Sequence, residues 1–558
     1  MKKLMLSLLS AAVVTAGAAH TAVAQDDGPQ PLLVAWAKSY NELISDIDFI
    51  GEASDNPDLG QGLEGLLELV TQGQGLPIDK EKAWGLTVAT NGFDFQILGF
   101  LPITDLEEFT QILGAVGQGL EDEGDGVYRI DVQAFSLYLK EVGDWTFVSM
   151  TPDGFDDVPE DPVELLGGLQ NDYDMGVKAY IQNIPEVFRQ LALEQIKVGM
   201  DENMPRLPDE GDAQFEMRTE LMRSQLDSLT TLMEELDEVT FGVTIDTEKE
   251  LGIIDLIITA VEGSAAAEQM AQASEGKTRF GGFLPEDGTM VGNINAVLSQ
   301  DDIDQFLGMV EQIRSEIMDQ IDGLDVIPDE AIRDQVKELV GEFVDIAQAT
   351  VESGRLDASV AMTGEGPFQL MLGMQVAEGD ELAKLFEKLV EMAETEAGFY
   401  GVQLDVDKHE GVRFHTLNVP YIGGEEGEML ETLFGSDLEV TLGLSEDAAY
   451  VCIGADGVET LKAAIDKSVE VADKELPPAH MRMHIGPFLE LLSEIDTEDP
   501  VLSSMTLEVP EEDDQVEVIV TNIERGTKIH VEAEKGVLGA LGTMIMTAAP
   551  QMMPGLGQ

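Results

Sequence analysis

The stretch DWTFVSMTPDG, Asp144 to Gly154, returns as DAAYVCIGADG, Asp447 to Gly457, and the two align without a gap. Asp144 falls on Asp447, Val148 on Val451, and Asp153-Gly154 on Asp456-Gly457. Phe147 stands opposite Tyr450, and Met150 opposite Ile453. The surrounding segments recur in the same order. LLVAWAKSYNELI from Leu32 resembles TMVGNINAVLSQDDI from Thr289, a short strand followed by a helix. The segments from Trp84 (WGLTVATNGFDFQILGF) and Leu356 (LDASVAMTGEGPFQLMLGM) each read as two strands, and a helix follows. GVYRIDV at Gly126 matches GVRFHTL at Gly411. AYIQNIPEVFRQL at Ala179 matches MRMHIGPFLELL at Met481, with Pro185 opposite Pro487. VTFGVTIDTEKELGIIDLIITAVEG from Val239 and VEVIVTNIERGTKIHVEAEKG from Val516 both read as a hairpin and a small-residue helix. Residue identity is low, so the shared order weighs more than any one match. Repetition at this scale predicts one architecture used twice.

Strands are read from period-2 alternation bounded by turn residues. Helices are read from apolar spacing of three and four. Ile303, Phe306, Leu307, Val310, Ile313 and Ile317 form one such stripe, and Ser299 with Asp302 forms its capping box. Leu382, Leu385, Phe386, Leu389 and Val390 form another, and both stripes read as core. Hairpins and strand–helix turns dominate the connections. The expected fold is therefore α+β: two related halves, each a mainly antiparallel sheet with helices packed on one face. The expected boundaries are a leader at 1–24, a linker at 25–32, a first half at 33–270, a connector at 271–288, a second half at 289–540 and an apolar flexible tail at 541–558. The segments around 152–162 and 201–212 read as exposed loops.

The start, MKKLMLSLLSAAVVTAGAAHTAVAQDD, joins a basic pair, an apolar run and the small-x-small site Ala22-Val23-Ala24. These parts in this order are a secretory signal peptide, so a periplasmic or extracellular protein is expected. No later stretch approaches about 18 apolar residues, so no transmembrane segment is expected. The unit VGDWTFVSMTPDG, Val142 to Gly154, is similar to uncharacterised secreted bacterial proteins that carry a domain of unknown function. That resemblance implies no activity.

Asp and Glu number 109 against 31 Lys and Arg, a net charge of −78. Nucleic acid is thereby disfavoured as a partner, because neutralising phosphates takes Lys and Arg clusters. An anionic membrane surface is disfavoured for the same reason. The charge reads first as a hydrated surface and second as an affinity for cations. At 44% apolar residues the chain has enough to bury a sizeable core.

Several motifs invite a catalytic reading and fail on context. Gly60, Gly62 and Gly65 spell GxGxxG, but a turn rather than a strand precedes them, and they read as the entry to a helix. Ser274 to Thr278 ends like a phosphate loop, but Ala271 stands where its first glycine belongs. His480 and His484 have the spacing of a helical zinc pair, yet AHMRMHIGPF reads as a strand, which sets them about 13 Å apart. Asp405, Asp407 and His409, with His415 nearby, are the remaining candidates for a metal, as loose ligands of Ca²⁺. The acidic turn Glu121 to Ile130 is similar, but Val132 stands where an EF-hand needs Glu, and both turns read first as acidic hairpin tips. No catalytic residue and no tightly held cofactor is assigned.

The leading expectation is a non-enzymatic exported protein: a binding, scaffold or envelope-associated module. One alternative is a carrier of an apolar ligand such as lipid, its cavity lined by some of the 25 methionines. Another is an exported hydrolase working through carboxylates. Cys452, the single cysteine, stands where Ser149 stands in the first copy and reads as a small buried side chain.

Overall fold

The computed structural model describes most of residues 30–552. The longer stretches outside this description are 115–120, 195–233, 324–329, 397–400, 420–429 and 488–512, with runs of one to three residues elsewhere. The leader, the loop at 201–212 and residues 553–558 therefore lie outside the described residues. The chain forms two units. The first takes its described residues from the chain up to 205, from 225 to 266 and from 538 onward; the second takes residues 267–537.

The first unit carries strands β1 (Gln30–Ala37), β2 (Trp84–Thr90), β3 (Phe95–Leu101), β4 (Glu121–Gly124), β5 (Val127–Val132), β6 (Phe135–Val142), β7 (Trp145–Ser149), β8 (Met175–Tyr180), β9 (Leu236–Asp246) and β10 (Leu251–Ala260). Its helices are α1 (Tyr40–Ala53), α2 (Leu59–Val70) and α3 (Leu106–Gly114), and α4 (Ala265–Gln272) follows β10. The strands pair antiparallel in the order β4-β5-β6-β7-β3-β2-β1-β8-β9-β10. Helix α1 starts where Ser39 accepts the Glu42 N–H at 3.0 Å. Val34, Trp36, Phe100, Trp145, Phe147 and Tyr173 pack on one face of the sheet, closed over by 3₁₀ turns at Pro152–Phe155 and Pro162–Leu166. Leu106 of α3 packs with Ile130 and Leu139 in a separate cluster, with Val148 against it.

The second unit carries β11 (Met290–Val297), β12 (Arg355–Thr363), β13 (Gln369–Gln375), β14 (Val402–His409), β15 (Val412–Val419), β16 (Leu438–Leu444), β17 (Ala448–Ile453), β18 (Ala479–His484), β19 (Gln515–Ile523) and β20 (Gly526–Glu534). Its helices are α5 (Gln300–Gly323), α6 (Glu330–Glu352), α7 (Gly379–Glu396) and α8 (Gly457–Glu470); α9 (Lys535–Met552) follows β20. The antiparallel order is β14-β15-β16-β17-β13-β12-β11-β18-β19-β20. Position by position it coincides with the order in the first unit. The expected capping box opens α5: Asp302 N–H donates to Ser299 Oγ at 3.1 Å, and Ser299 N–H donates to Asp302 Oδ2 at 3.0 Å.

Helices packed on one face only was the expectation, and the second unit corrects it. Successive residues of a strand point to opposite faces. On β17, Tyr450 and Cys452 meet Leu461, Ala464 and Ile465 of α8 on one face. Ala449, on the other face, meets Ala383, Phe386 and Val390 of α7. The reason is compositional. AAYVCI is apolar throughout, so each face needs its own cover. The expected connector belongs to this core as well. Phe280 and Phe283 are fully buried, and the Phe283 ring stacks on Tyr450 at 5.7 Å between centroids.

Three further details differ from expectation. The α5 stripe is only partly buried, with Ile313 53% exposed, because α5 packs against α6 rather than flat on the sheet. Gly60, Gly62 and Gly65 follow a turn, as expected, but they lie within the helix α2 itself rather than in the turn that leads into it. Residues from 541 continue the helix α9 as far as Met552. No helix among the described residues is long and apolar enough to cross a membrane.

Two predictions follow from this packing. At Gly282 a Cβ would lie 2.0 Å from the Ala464 carbonyl oxygen and 2.5 Å from the Ser468 nitrogen. Both are α8 backbone and cannot yield, so Gly282→Ala is expected to cost about 1–3 kcal/mol or more, read as a lower urea midpoint. In the first unit, Asp46 is buried and one of its carboxylate oxygens has no hydrogen-bond partner. Burial first, then Asp174 and Glu42, push its carboxyl up to about 7, opposed by Lys38. A carboxyl raised in the folded state holds its proton more tightly than in the unfolded chain. Stability is therefore lost as pH climbs from the ordinary carboxylate range to about 7. Asp46→Asn should raise the urea midpoint at about pH 8 and change it little at about pH 4. A gain that is equal at both pH values would refute the assignment.

Candidate functional site

The registers of the second unit place apolar side chains in continuous rows across the Val451 face. One row reads Val518, Met481, Gly292, Val360, Leu372, Val451 and Leu442, each opposite the next on neighbouring strands. The adjoining row reads Val520, Ala479, Ile294, Ala358, Met374, Ala449 and Leu444. Helix α7 covers the end of these rows at β16 and β17.

At the other end the rows form a trough of about 320 Å³. Met290, Gly292, Ile294, Ala358, Val360, Leu372, Ala479, Met481, Val518 and Val520 supply its side chains. Asn293, Ser359 and His480 also border it. By alternation their side chains belong to the reverse face, so their backbone is what meets the cavity. Small residues hollow the middle. Gly292 contributes no side chain, and Ala358 and Ala479 flank it on the next strands and row. A Cβ at Gly292 would meet nothing nearer than Val360 at 3.5 Å, an ordinary contact, so a methyl group fits there. Ile294 is 41% and Met481 39% exposed. These two side chains border open apolar space instead of filling a core. Among the described residues no Lys or Arg lines the trough.

The strand β11, MVGNINAV, inverts the usual reading of alternation. Asn293 and Asn295 are buried while Ile294 faces the trough. In the first unit, β9 and β10 also carry an apolar face, with Val239, Phe241 and Val243 opposite Ile258, Leu256 and Ile254. Phe241 and Ile254 are exposed there.

The residues singled out from the sequence lie elsewhere. Cys452 is fully buried on the reverse face, and burial pushes its thiol up to about 12. Asp405 sits in an irregularity of β14, and its N–H donates to His415 Nδ1 at 3.1 Å. Asp407 pairs with Lys462, which holds its carboxyl below the usual range. His409 pairs with Asp466 at 2.6 Å. The candidate metal ligands Asp405, Asp407 and His409 thus take separate partners. His415 is buried against Phe386, and burial lowers its pKa. His480 and His484 share β18, but each meets its own carboxylate, Glu517 at 2.6 Å and Asp514 at 2.7 Å. The acidic turn of the first unit is gathered by Arg129, which pairs with Glu121 at 2.7 Å and Glu123 at 3.2 Å. Among the described residues no group of three or more His, Cys, Asp or Glu is placed to hold a metal ion.

No family model, no curated protein and no solved structure matches this chain.

The trough escaped the sequence reading because alternation tells which residues share a face, not whether a helix covers it. The glycine of VGNIN among apolar neighbours was the available signal. For Cys452, a thiol reagent at about pH 8 is expected to label the native protein far more slowly than a free thiol, and the urea-unfolded chain at once. Rapid native labelling would refute the burial.

Proposed function

We propose that this chain is a non-catalytic, exported binding protein that seats an apolar ligand in the trough of its second unit. One observation carries the reading: Ile294 and Met481, each about two-fifths exposed, border a trough whose side chains are all apolar. Small-molecule sites typically span about 300–1,000 Å³ and are lined mainly by apolar groups. The trough lies at the lower end of that range, enough for part of an acyl chain or a compact hydrocarbon. Each methylene taken out of water contributes about 0.8 kcal/mol. Because no cationic side chain among the described residues lines the cavity, the ligand is held by its apolar body rather than by a charged head. Export is supported by the leader's basic pair, apolar run and cleavage site.

The two units are read as copies of one plan. The coincident strand orders support this, together with the segment order in the sequence. So do the exposed apolar side chains on the same face of β9 and β10 in the first unit.

The test uses N-phenyl-1-naphthylamine, an uncharged apolar fluorophore. Saturable binding is expected, with affinity reduced about ten-fold or more in Gly292→Val, which adds apolar bulk at the floor of the trough. The thermal midpoint of that variant should match the parent. Equal binding by parent and variant, or none by the parent, would refute the reading.

A further inference from the structure

The reverse face of β11 and β12 holds a buried polar cluster with no role in the trough. Asn293 lies directly opposite Ser359, and Asn295 directly opposite Asp357. Opposed residues on one face bring their Cβ atoms within about 4.5–5.5 Å. All four side chains are withdrawn from water: exposure is 6% at Asn293, 1% at Asn295, 2% at Asp357 and 1% at Ser359.

Their hydrogen bonding is incomplete. The Asp357 carboxylate accepts from the Thr278 hydroxyl at 2.5 Å and from the Arg279 N–H at 2.9 Å. Among the described residues no cationic side chain forms an ion pair with it. The Arg279 guanidinium is taken by Asp447 at 2.9 Å. Asn293 Nδ2 donates to the Pro477 carbonyl at 3.3 Å, which leaves its Oδ1 without a partner. Neither amide atom of Asn295 nor the Ser359 hydroxyl has one.

The Arg279 charge reaches Asp357 only at longer range, without an ion pair. A buried carboxylate with no direct ion-pair partner is costly, and each buried polar group left unsatisfied costs about 1–3 kcal/mol. Water would satisfy the neutral oxygens but would bring no charge to the carboxylate. A cation does both. The donors are all oxygens, one anionic and several neutral, which is the chemistry of a hard, flexibly coordinated ion. At the corresponding places of the first unit's strand order stand Val34 opposite Thr87 and Trp36 opposite Gly85, so three of the four places carry no side-chain oxygen there.

We propose that Asp357, Asn295, Asn293 and Ser359, closed over by Thr278, form a buried site for one hard cation, Ca²⁺ or Na⁺. This inference is independent of the apolar trough.

The experiment follows thermal unfolding of the full chain, stripped of metal by chelator, in N-methylglucamine chloride at constant ionic strength. One arm adds CaCl₂ and the other replaces the organic cation by Na⁺. A saturable rise in midpoint is expected with one of the two ions, and that arm names the ion. Asp357→Asn should abolish the saturable part, leaving only the shallow response that any strongly acidic chain gives to cations. Should Asp357→Asn fail to fold, Ser359→Ala removes a single neutral oxygen and should weaken the apparent affinity about ten-fold. A parent that shows no saturable rise with either ion refutes the proposal. So does a folded variant that responds as the parent does.

Discussion

The core of the second unit follows from two strands with no polar face to spare. β13 and β17 are apolar on both sides, so the sheet cannot leave either face to water where they run. Helix α8, with Phe280 and Phe283, closes one side, and α7 closes the other. Neither cover reaches the whole width of a sheet ten strands wide. On the Val451 face the apolar rows run on beyond α7 across β12, β11, β18 and β19, and there they become the walls of a trough. Core and cavity are one surface, covered at one end and open at the other.

The charge of the chain shapes how its few cations are used. Single basic groups serve several acids: Arg129 meets Glu121, Glu123 and Asp131, and Lys38 meets Glu42 and Asp174. The exposed pairs among them contribute little each, about 0–1 kcal/mol, whereas Asp174 is a buried partner. Their arrangement matters more as relief of repulsion among carboxylates than as attraction. That makes stability responsive to dissolved salt, because screening acts on the acids that no basic group reaches.

Much of the fold was legible in the residues. The hairpin of β9 and β10, that of β19 and β20, and the Ser299–Asp302 box are short-range features, fixed by alternation, turn residues and cap chemistry. Cys452 was legible too, because comparison with Ser149 placed it among inward side chains. Features that depend on how distant segments meet were not. A stripe such as Ile303 to Ile317 marks an apolar helix face but not what covers it, and here α6 covers only part. His480 and His484 were rightly placed on a strand, but their carboxylate partners lie 30 or more residues on and depend on register. The same holds for Asn293 and Asn295. Alternation alone assigns them to water, and only pairing with Ser359 and Asp357 reveals them as interior.

Gly292 separates two properties that most proteins keep tied together. In an ordinary core, enlarging a side chain strains the packing, so the volume of a cavity and the stability of its walls change together. Here the floor of the trough is a backbone position where a Cβ would make only ordinary contacts. A lineage carrying this fold could change the size of what it accepts by successive small replacements at one codon, with the ten-strand scaffold left as it is.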